Sequence, residues 1–489
     1  MRRHLFLGAL ATCVGAAVLA ATAVGAPPKK AAGSFTNFSI AETTGVTCPG
    51  SSSCSNIAAE PQIRADGDGN FYGSSENGLG GGTVAVRSTD GGLHYTTLVS
   101  PNGVSSANDT GFAPGGGDTD VAVATARNAQ GNYNVYVASL SLANVDVSTS
   151  TDKGQTWSLN PTSATISGDD REWIAADGAS KVCISYHDVV TFNIDVNCSY
   201  DAGTTFTQLG DAIDANHAYQ IDNNEIGNLA IDPASHTIYQ TYSAITAPDE
   251  VATAGVNGDY HGVYVGVSTD GGLTFTDYPV YVNPDSSVAY GSQFTNVAVD
   301  KAGNVYVAYC DGHDVYYSFS TDHGQTWSGP YKVDTSGTAI FPWLAAGDAG
   351  KVDLVYYQTS YRDTSTPVDS YPDSAAWTVA FAQNLSATTP GSSWSVTTAS
   401  PTVHYGAVCR GGIGCTGNRD LYDDFGIAAS PTSGLASIIY SDDQYDPNGP
   451  NASGCTQSVS NSGSCDHTAI ATQTGGSGIY TATTKKKKP

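Results

Sequence analysis

Apolar and polar positions alternate in short runs along most of the chain, and nearly every run stops at a cluster of Gly, Asp, Asn or Ser. VAVDKAGNVYVAY (Val297–Tyr309), IRADGDGNFYGSS (Ile63–Ser75), IAADGASKVCISY (Ile174–Tyr186) and LAIDPASHTIYQTY (Leu229–Tyr242) share one layout: an apolar strand, a polar turn, a second strand. LAAGDAGKVDLVYY (Leu344–Tyr357) and IAASPTSGLASIIY (Ile427–Tyr440) repeat it. Period-two alternation rich in β-branched and aromatic residues predicts half-buried strands, and the Gly/Asp/Asn clusters predict the hairpins between them. No long helix is predicted.

A second pattern follows these hairpins. Five octamers read Ser, any, Asp, any, Gly, two any, aromatic: STDGGLHY (Ser88–Tyr95), STDKGQTW (Ser150–Trp157), SYDAGTTF (Ser199–Phe206), STDGGLTF (Ser268–Phe275) and STDHGQTW (Ser320–Trp327). The Asp carboxylate suits a turn whose N–H groups need an acceptor, Gly supplies a positive φ, and the aromatic ring is expected to pack beneath the turn. Two worn copies, Phe381–Trp394 and Ala471–Gly478, bring the octamers to seven, and a further strand pair at Val121–Ser139 brings the hairpins to seven, which makes seven four-stranded units. Four-stranded units in series predict an all-β, seven-bladed β-propeller spanning residues 35–480, with six blades as the alternative. Phe35–Ala41 is expected to close the ring by adding a strand to the last blade.

Composition agrees. The 489 residues include 55 Gly and 28 Tyr but only 13% charged residues, which excludes a coiled coil or helical bundle. Eight of the 20 basic residues (Arg2, Arg3, Lys29, Lys30 and Lys485 to Lys488) sit at the ends, leaving 12 against 46 acidic ones between them. Such a surface repels phosphate backbones, so no nucleic-acid partner is expected. Arg2 and Arg3 before an apolar run, with Val24-Gly25-Ala26 at its end, predict a signal peptide over 1–26. A linker at 27–34 and a basic tail at 481–489 flank the ring. With no other long apolar run, the mature chain is expected to lack a transmembrane segment and to be secreted or held at the cell surface as a monomer. Nine of the 10 cysteines lie beyond the leader; Cys48/Cys54, Cys183/Cys198, Cys409/Cys415 and Cys455/Cys465 are spaced to close short loops, and Cys310 is left over as a buried thiol.

The octamers resemble the Asp boxes, or BNR repeats, of the sialidase-like superfamily, and the resemblance runs along nearly the whole mature length. It implies that Asp90, Asp152, Asp201, Asp270 and Asp322 are structural. It also implies a ligand site at the other face, where the long loops after Ser243, Thr359 and Ser441 and the starts of the first strands meet. Sialidases clamp the sugar carboxylate with three Arg, use a Tyr nucleophile activated by a Glu, and an Asp as acid/base. The matching candidates are Arg171, Arg410 and Arg419 as clamp, Tyr422 with Glu225, and Asp118 or Asp120. Where sialidases carry Arg-Ile-Pro, this chain reads EPQIRAD (Glu60–Asp66), with Arg64 after the Ile. The resemblance implies recognition, and hydrolysis of exo-sialidase type, of an extracellular glycan; a non-catalytic scaffold that binds a surface protein is the alternative. No cofactor is expected. ADGDGN (Ala65–Asn70) alternates Asp as Ca²⁺ loops do, but without the closing Glu it is expected to be a hairpin turn.

Overall fold

The computed structural model describes residues 33–39, 60–76, 82–102, 115–141, 144–165, 169–188, 190–251, 260–291, 293–333, 336–412, 415–444, 454–461 and 465–481. The expected leader, the Cys48/Cys54 pair and the basic tail beyond Thr481 lie outside them.

The described residues form 28 strands in seven four-stranded antiparallel sheets. Six sheets are meanders of four consecutive strands. The seventh takes Gly426–Ala429, Ala436–Asp442 and His467–Gly476 from the end of the chain and Gly33–Ser39 from its beginning, with Phe38 opposite Ile470. The ring is therefore closed by the expected N-terminal strand, beginning two residues before Phe35. The first strands of the blades are Gln62–Ala65, Thr119–Arg127, Asp169–Asp177, Asn224–Ile231, Asn296–Val299, Thr338–Ala346 and Gly426–Ala429. Each touches the first strands of its two neighbours, and the last touches the first, so the fold is a seven-bladed β-propeller with these strands around the axis.

The core lies between blades. Middle strands such as Val305–Cys310 and Ile194–Ser199 are buried at every position because a neighbouring sheet covers each face, which is why they read as near-continuous apolar runs. No helix of the described residues is long and apolar enough to cross a membrane; helical structure amounts to three short turns, Ala215–Gln220, Pro248–Glu250 and Val368–Ser370.

The octamers join third to fourth strands. In each, the Asp accepts from the Ser hydroxyl and from the backbone N–H two residues past the invariant Gly, and Asp90, Asp152 and Asp270 also accept from the N–H directly after it: Asp152 Oδ1 takes Ser150 Oγ at 2.8 Å, Gln155 N at 3.1 Å and Thr156 N at 2.9 Å. Bonds from the hydroxyl and backbone N–H of Thr326 hold Asp322 down at about 2. The invariant Gly has a reason beyond its positive φ. A Cβ on Gly154 would stand 2.5 Å from Leu98 Cδ1, and one on Gly203 2.7 Å from Thr149 Oγ1, both atoms of the preceding blade. The residue before it also has positive φ but faces open space at Gly91, so Lys153, Ala202 and His323 are tolerated there. The rings pack as expected: Trp157 lies with Tyr72 and Ala85 of the first blade and Val121 and Val137 of the second.

Among the described residues three disulfides are present: Cys183–Cys198, which are directly opposite across two strands, Cys409–Cys415 and Cys455–Cys465. Cys310 is free and buried.

Candidate functional site at the axial mouth

Antiparallel meanders place every first-strand start, and every connection between second and third strands, at one end of the ring; the octamers fall at the other. At this mouth the backbone is unusual. Glu60 (φ +45°), Arg171 (+50°), Phe341 (+54°) and Tyr422 (+54°), on four different blades, occupy the left-handed region although none is Gly. Register shifts at Asp170/Glu172 and Ile340/Trp343 show that the first strands bulge there. A bulge re-aims a side chain, here toward the axis. Each left-handed residue costs about 1–2 kcal/mol, so the surroundings must over-determine it. They do: Gln293 Oε1 takes Phe341 N at 2.7 Å, Asp170 Oδ1 takes Arg171 N at 2.9 Å, and Tyr422 N donates to Arg419 O at 2.9 Å.

The axis below the mouth is filled, not open. The Arg171 guanidinium lies 3.9 Å from the Trp173 ring centroid and 5.0 Å from that of Phe294, and Trp173 packs on Trp343 at 4.9 Å. Trp173, Trp343 and Phe341 are buried. The expected central channel is therefore a cup with an aromatic floor, because bulky first-strand residues meet where seven small ones would have left a hole.

On that floor Arg171, 5% exposed, pairs closely with Glu60, reaches Asp424 at 2.8 Å and Asp118 at 3.7 Å. Arg419 reaches the other Glu60 oxygen at 3.3 Å and Asp423 at 2.9 Å. Two of the three expected clamp residues thus converge, and they converge on a carboxylate of the protein itself. Arg410 is placed elsewhere: its guanidinium bonds Asp369 at 2.9 Å, on the long loop of the sixth blade. The third guanidinium at the mouth is Arg64, which bonds Asp120 at 3.1 Å and lies over Trp343. Asp120 also accepts from Ile174 N at 3.1 Å, stapling the second blade to the third. Among the described residues no hydrogen bond joins Tyr422 to Glu225; Arg419 lies over the Tyr422 ring at 5.5 Å, and burial, with Asp466 and Glu76, pushes the phenol up.

Carboxylates outnumber guanidiniums, and their protons show it. Burial, reinforced by Asp118, holds Glu60 well above the ordinary carboxylate range despite Arg171. Burial and Asp118 lift Glu76 to about 7; burial and Asp170 lift Glu225 to about 8; burial lifts Asp424 to about 7 against the pull of Arg171. Glu172 is fully buried with neither oxygen hydrogen-bonded among the described residues, and burial raises it as well. The mouth therefore holds several neutral carboxylic acids near pH 7, each able to donate as well as accept.

Glu76 escapes sequence reading because it stands one residue past Phe71–Ser75 at the start of a loop with no pattern; Arg64 is visible only as a displaced Arg-Ile-Pro arginine. The nearest oxygens of Glu60, Glu76 and Asp118 lie within 4.8 Å of one another, a spacing that could hold a cation. Glu60, however, already has a guanidinium on each oxygen. In a second such group His404 bonds Asp443 through Nδ1 at 3.0 Å and the Ala407 carbonyl through Nε2 at 2.9 Å, which leaves neither nitrogen for a metal. Asp66, in the ADGDGN turn, takes Asp68 N and Asn70 N, both at 2.9 Å, as a hairpin does.

No protein-family model matches the sequence, and no curated protein sequence does. Among solved structures the chain is similar to a protein of unknown function from Dyadobacter fermentans (14% identity, 85% of this chain and 94% of that one, TM-score 0.42). It is also similar to an α-L-arabinofuranosidase from Fusarium graminearum (16%, 66% and 93%, 0.43) and to the NanB sialidase of Streptococcus pneumoniae (11%, 88% and 70%, 0.42). The likeness is confined to the path of the chain.

Proposed function

We propose that this is an exported propeller of the sialidase-like, Asp-box kind that binds an extracellular glycan at the axial mouth, and that the glycan is neutral. The observation that carries this reading is the left-handed backbone at Glu60, Arg171, Phe341 and Tyr422. Folding a propeller does not require such residues at four strand starts, and strain of this kind gathers at binding sites. The cup supplies what sugar hydroxyls need: guanidinium donors, carboxylate acceptors and carboxylic acids that serve as both.

Charge selects the ligand. A sialic acid carboxylate would have to displace Glu60 from Arg171 and Arg419 and then sit beside Asp118, 3.7 Å from the Arg171 guanidinium, and Asp423, 2.9 Å from that of Arg419. An uncharged sugar meets no such repulsion. Hydrolysis of the same glycan is the second reading, supported by one pair: Glu76, lifted to about 7, stands near Asp118, so a proton donor and a second carboxylate are close together.

The test is retention on immobilised glycans. Neutral oligosaccharides should retain the protein, sialylated ones should not, and Arg419→Ala, on a half-exposed side chain, should weaken retention with the melting transition intact. Retention by acidic glycans alone, or by a protein partner at another face, would overturn the reading.

A further inference from the structure

The hairpin between the second and third strands of the third blade, Lys181–Asp188 and Ile194–Ser199, rises at the mouth. Its tip carries Val190, 66% exposed, and Phe192, 48% exposed. Phe192 also has φ +60°, a conformation that is an outlier for a bulky residue. Two costs therefore coincide on one side chain: a strained backbone and an aromatic ring left in water.

Neither cost comes from a loose loop. Asp188 accepts from Val190 N at 2.7 Å and Thr191 N at 3.1 Å, and its carbonyl takes Phe192 N at 2.7 Å. Asn193 Oδ1 takes Ile194 N at 2.7 Å. The side-chain amide of Asn224 lies 3.3 Å from the Phe192 carbonyl, and Asn224 directly precedes Glu225 of the mouth. The tip is thus a rigid mount that holds a ring outward at the rim of the cup, tied to the strand that presents a site carboxyl. Asn or Gly would satisfy the same turn without strain.

We infer that Phe192 is a stacking platform for a second, neutral sugar ring, so that the mouth takes an oligosaccharide and not a single sugar. The inference rests on the glycan reading above. A neutral pyranose presents an apolar face of C–H groups that packs on an aromatic face, while its hydroxyl edge is left for the polar cup. Asp170 and Asp423 act on Glu225 to help hold its proton, and the same two carboxyls disfavour an anionic occupant at this rim.

The experiment is isothermal titration of the whole mature chain with soluble neutral mono- and oligosaccharides of glucose, galactose, mannose and xylose, sialyllactose being the acidic control. The variants are Phe192→Ala, Phe192→Trp and Phe192→Gly. Wild type should bind an oligosaccharide more tightly than its monosaccharide. Phe192→Ala and Phe192→Gly should weaken the oligosaccharide about tenfold and leave the monosaccharide unchanged, while Phe192→Trp retains affinity. Phe192→Gly should also raise the melting temperature, since it relieves the left-handed strain. A melting temperature that falls, or oligosaccharide binding that is unchanged in the variants, overturns the platform and leaves the cup standing. Wild type that binds no neutral sugar overturns the glycan reading and the platform with it.

Discussion

Glu225→Gln isolates the electrostatics of the mouth. Glu225 is partly buried at the start of a first strand, and among the described residues it has no ion pair to lose. Burial, then Asp170 and Asp423, lift it from 4.5 to about 8. Between those two values the folded protein holds a proton that the unfolded chain has released, so stability falls as pH rises and levels off once pH exceeds 8. At about 1.4 kcal/mol per unit the full shift would cost about 4–5 kcal/mol, and about 2–3 kcal/mol is expected once the carboxyl's partial exposure to solvent is allowed for. Gln keeps the shape and carries no charge. The variant should match wild type near pH 4.5 and be more stable by about 2–3 kcal/mol at pH 9. Urea unfolding at half-unit intervals of pH measures this. The remaining acidic surface destabilises both proteins alike at high pH, so the difference between the two curves is the readout. Parallel curves would mean that Glu225 ionises freely, and the raised carboxyls of the mouth would have no physical basis.

Arg171→Ala removes the cation shared by Glu60 and Asp424 and leaves both carboxyls buried; denaturant unfolding at pH 8 should show a loss of about 3–5 kcal/mol, smaller at pH 5 where the acids are protonated. Trp157→Ala empties a buried ring between the first two blades and should cost about 3–5 kcal/mol by the same assay, with Asp152→Ala destabilising less because its bonds are solvent-exposed. Opening Cys183–Cys198 by a double Ala substitution should cost about 3 kcal/mol, the chain-entropy value for a loop of this length, without altering sugar binding.

The ring was legible in the sequence because its signals are local. An octamer encodes its own turn through Ser, Asp and Gly within five residues, and Trp157 or Tyr95 needs only a neighbouring sheet to bury it. Five such turns, two worn copies of them and the hairpins between gave the count of seven blades, and closing the ring then needed one more strand, for which the stretch from Phe35 was available. The mouth was legible only in part, because it is assembled from residues more than a hundred positions apart. Register placed Asp118, Asp120, Arg171, Glu225, Arg419 and Tyr422 at one end of the ring. It could not say where each side chain points, which depends on bulges at Asp170/Glu172 and Ile340/Trp343 that no local pattern announces. So Arg410 read as a clamp residue, although Asp369 holds it on the sixth blade, and nothing in EPQIRAD shows that Glu60 occupies the space between two guanidiniums. Phe192 carries no signal in the sequence, since exposure and a positive φ are invisible without coordinates.

Hydrogen–deuterium exchange with and without a saturating neutral oligosaccharide tests the axial mouth as the glycan site most directly. Protection should appear in peptides covering 60–64, 118–120, 170–173, 190–193 and 419–425, and not in the octamers Ser88–Tyr95 or Ser320–Trp327 at the opposite end of the ring. Protection confined to the octamer end, or none at the mouth while the sugar is demonstrably bound, would contradict it.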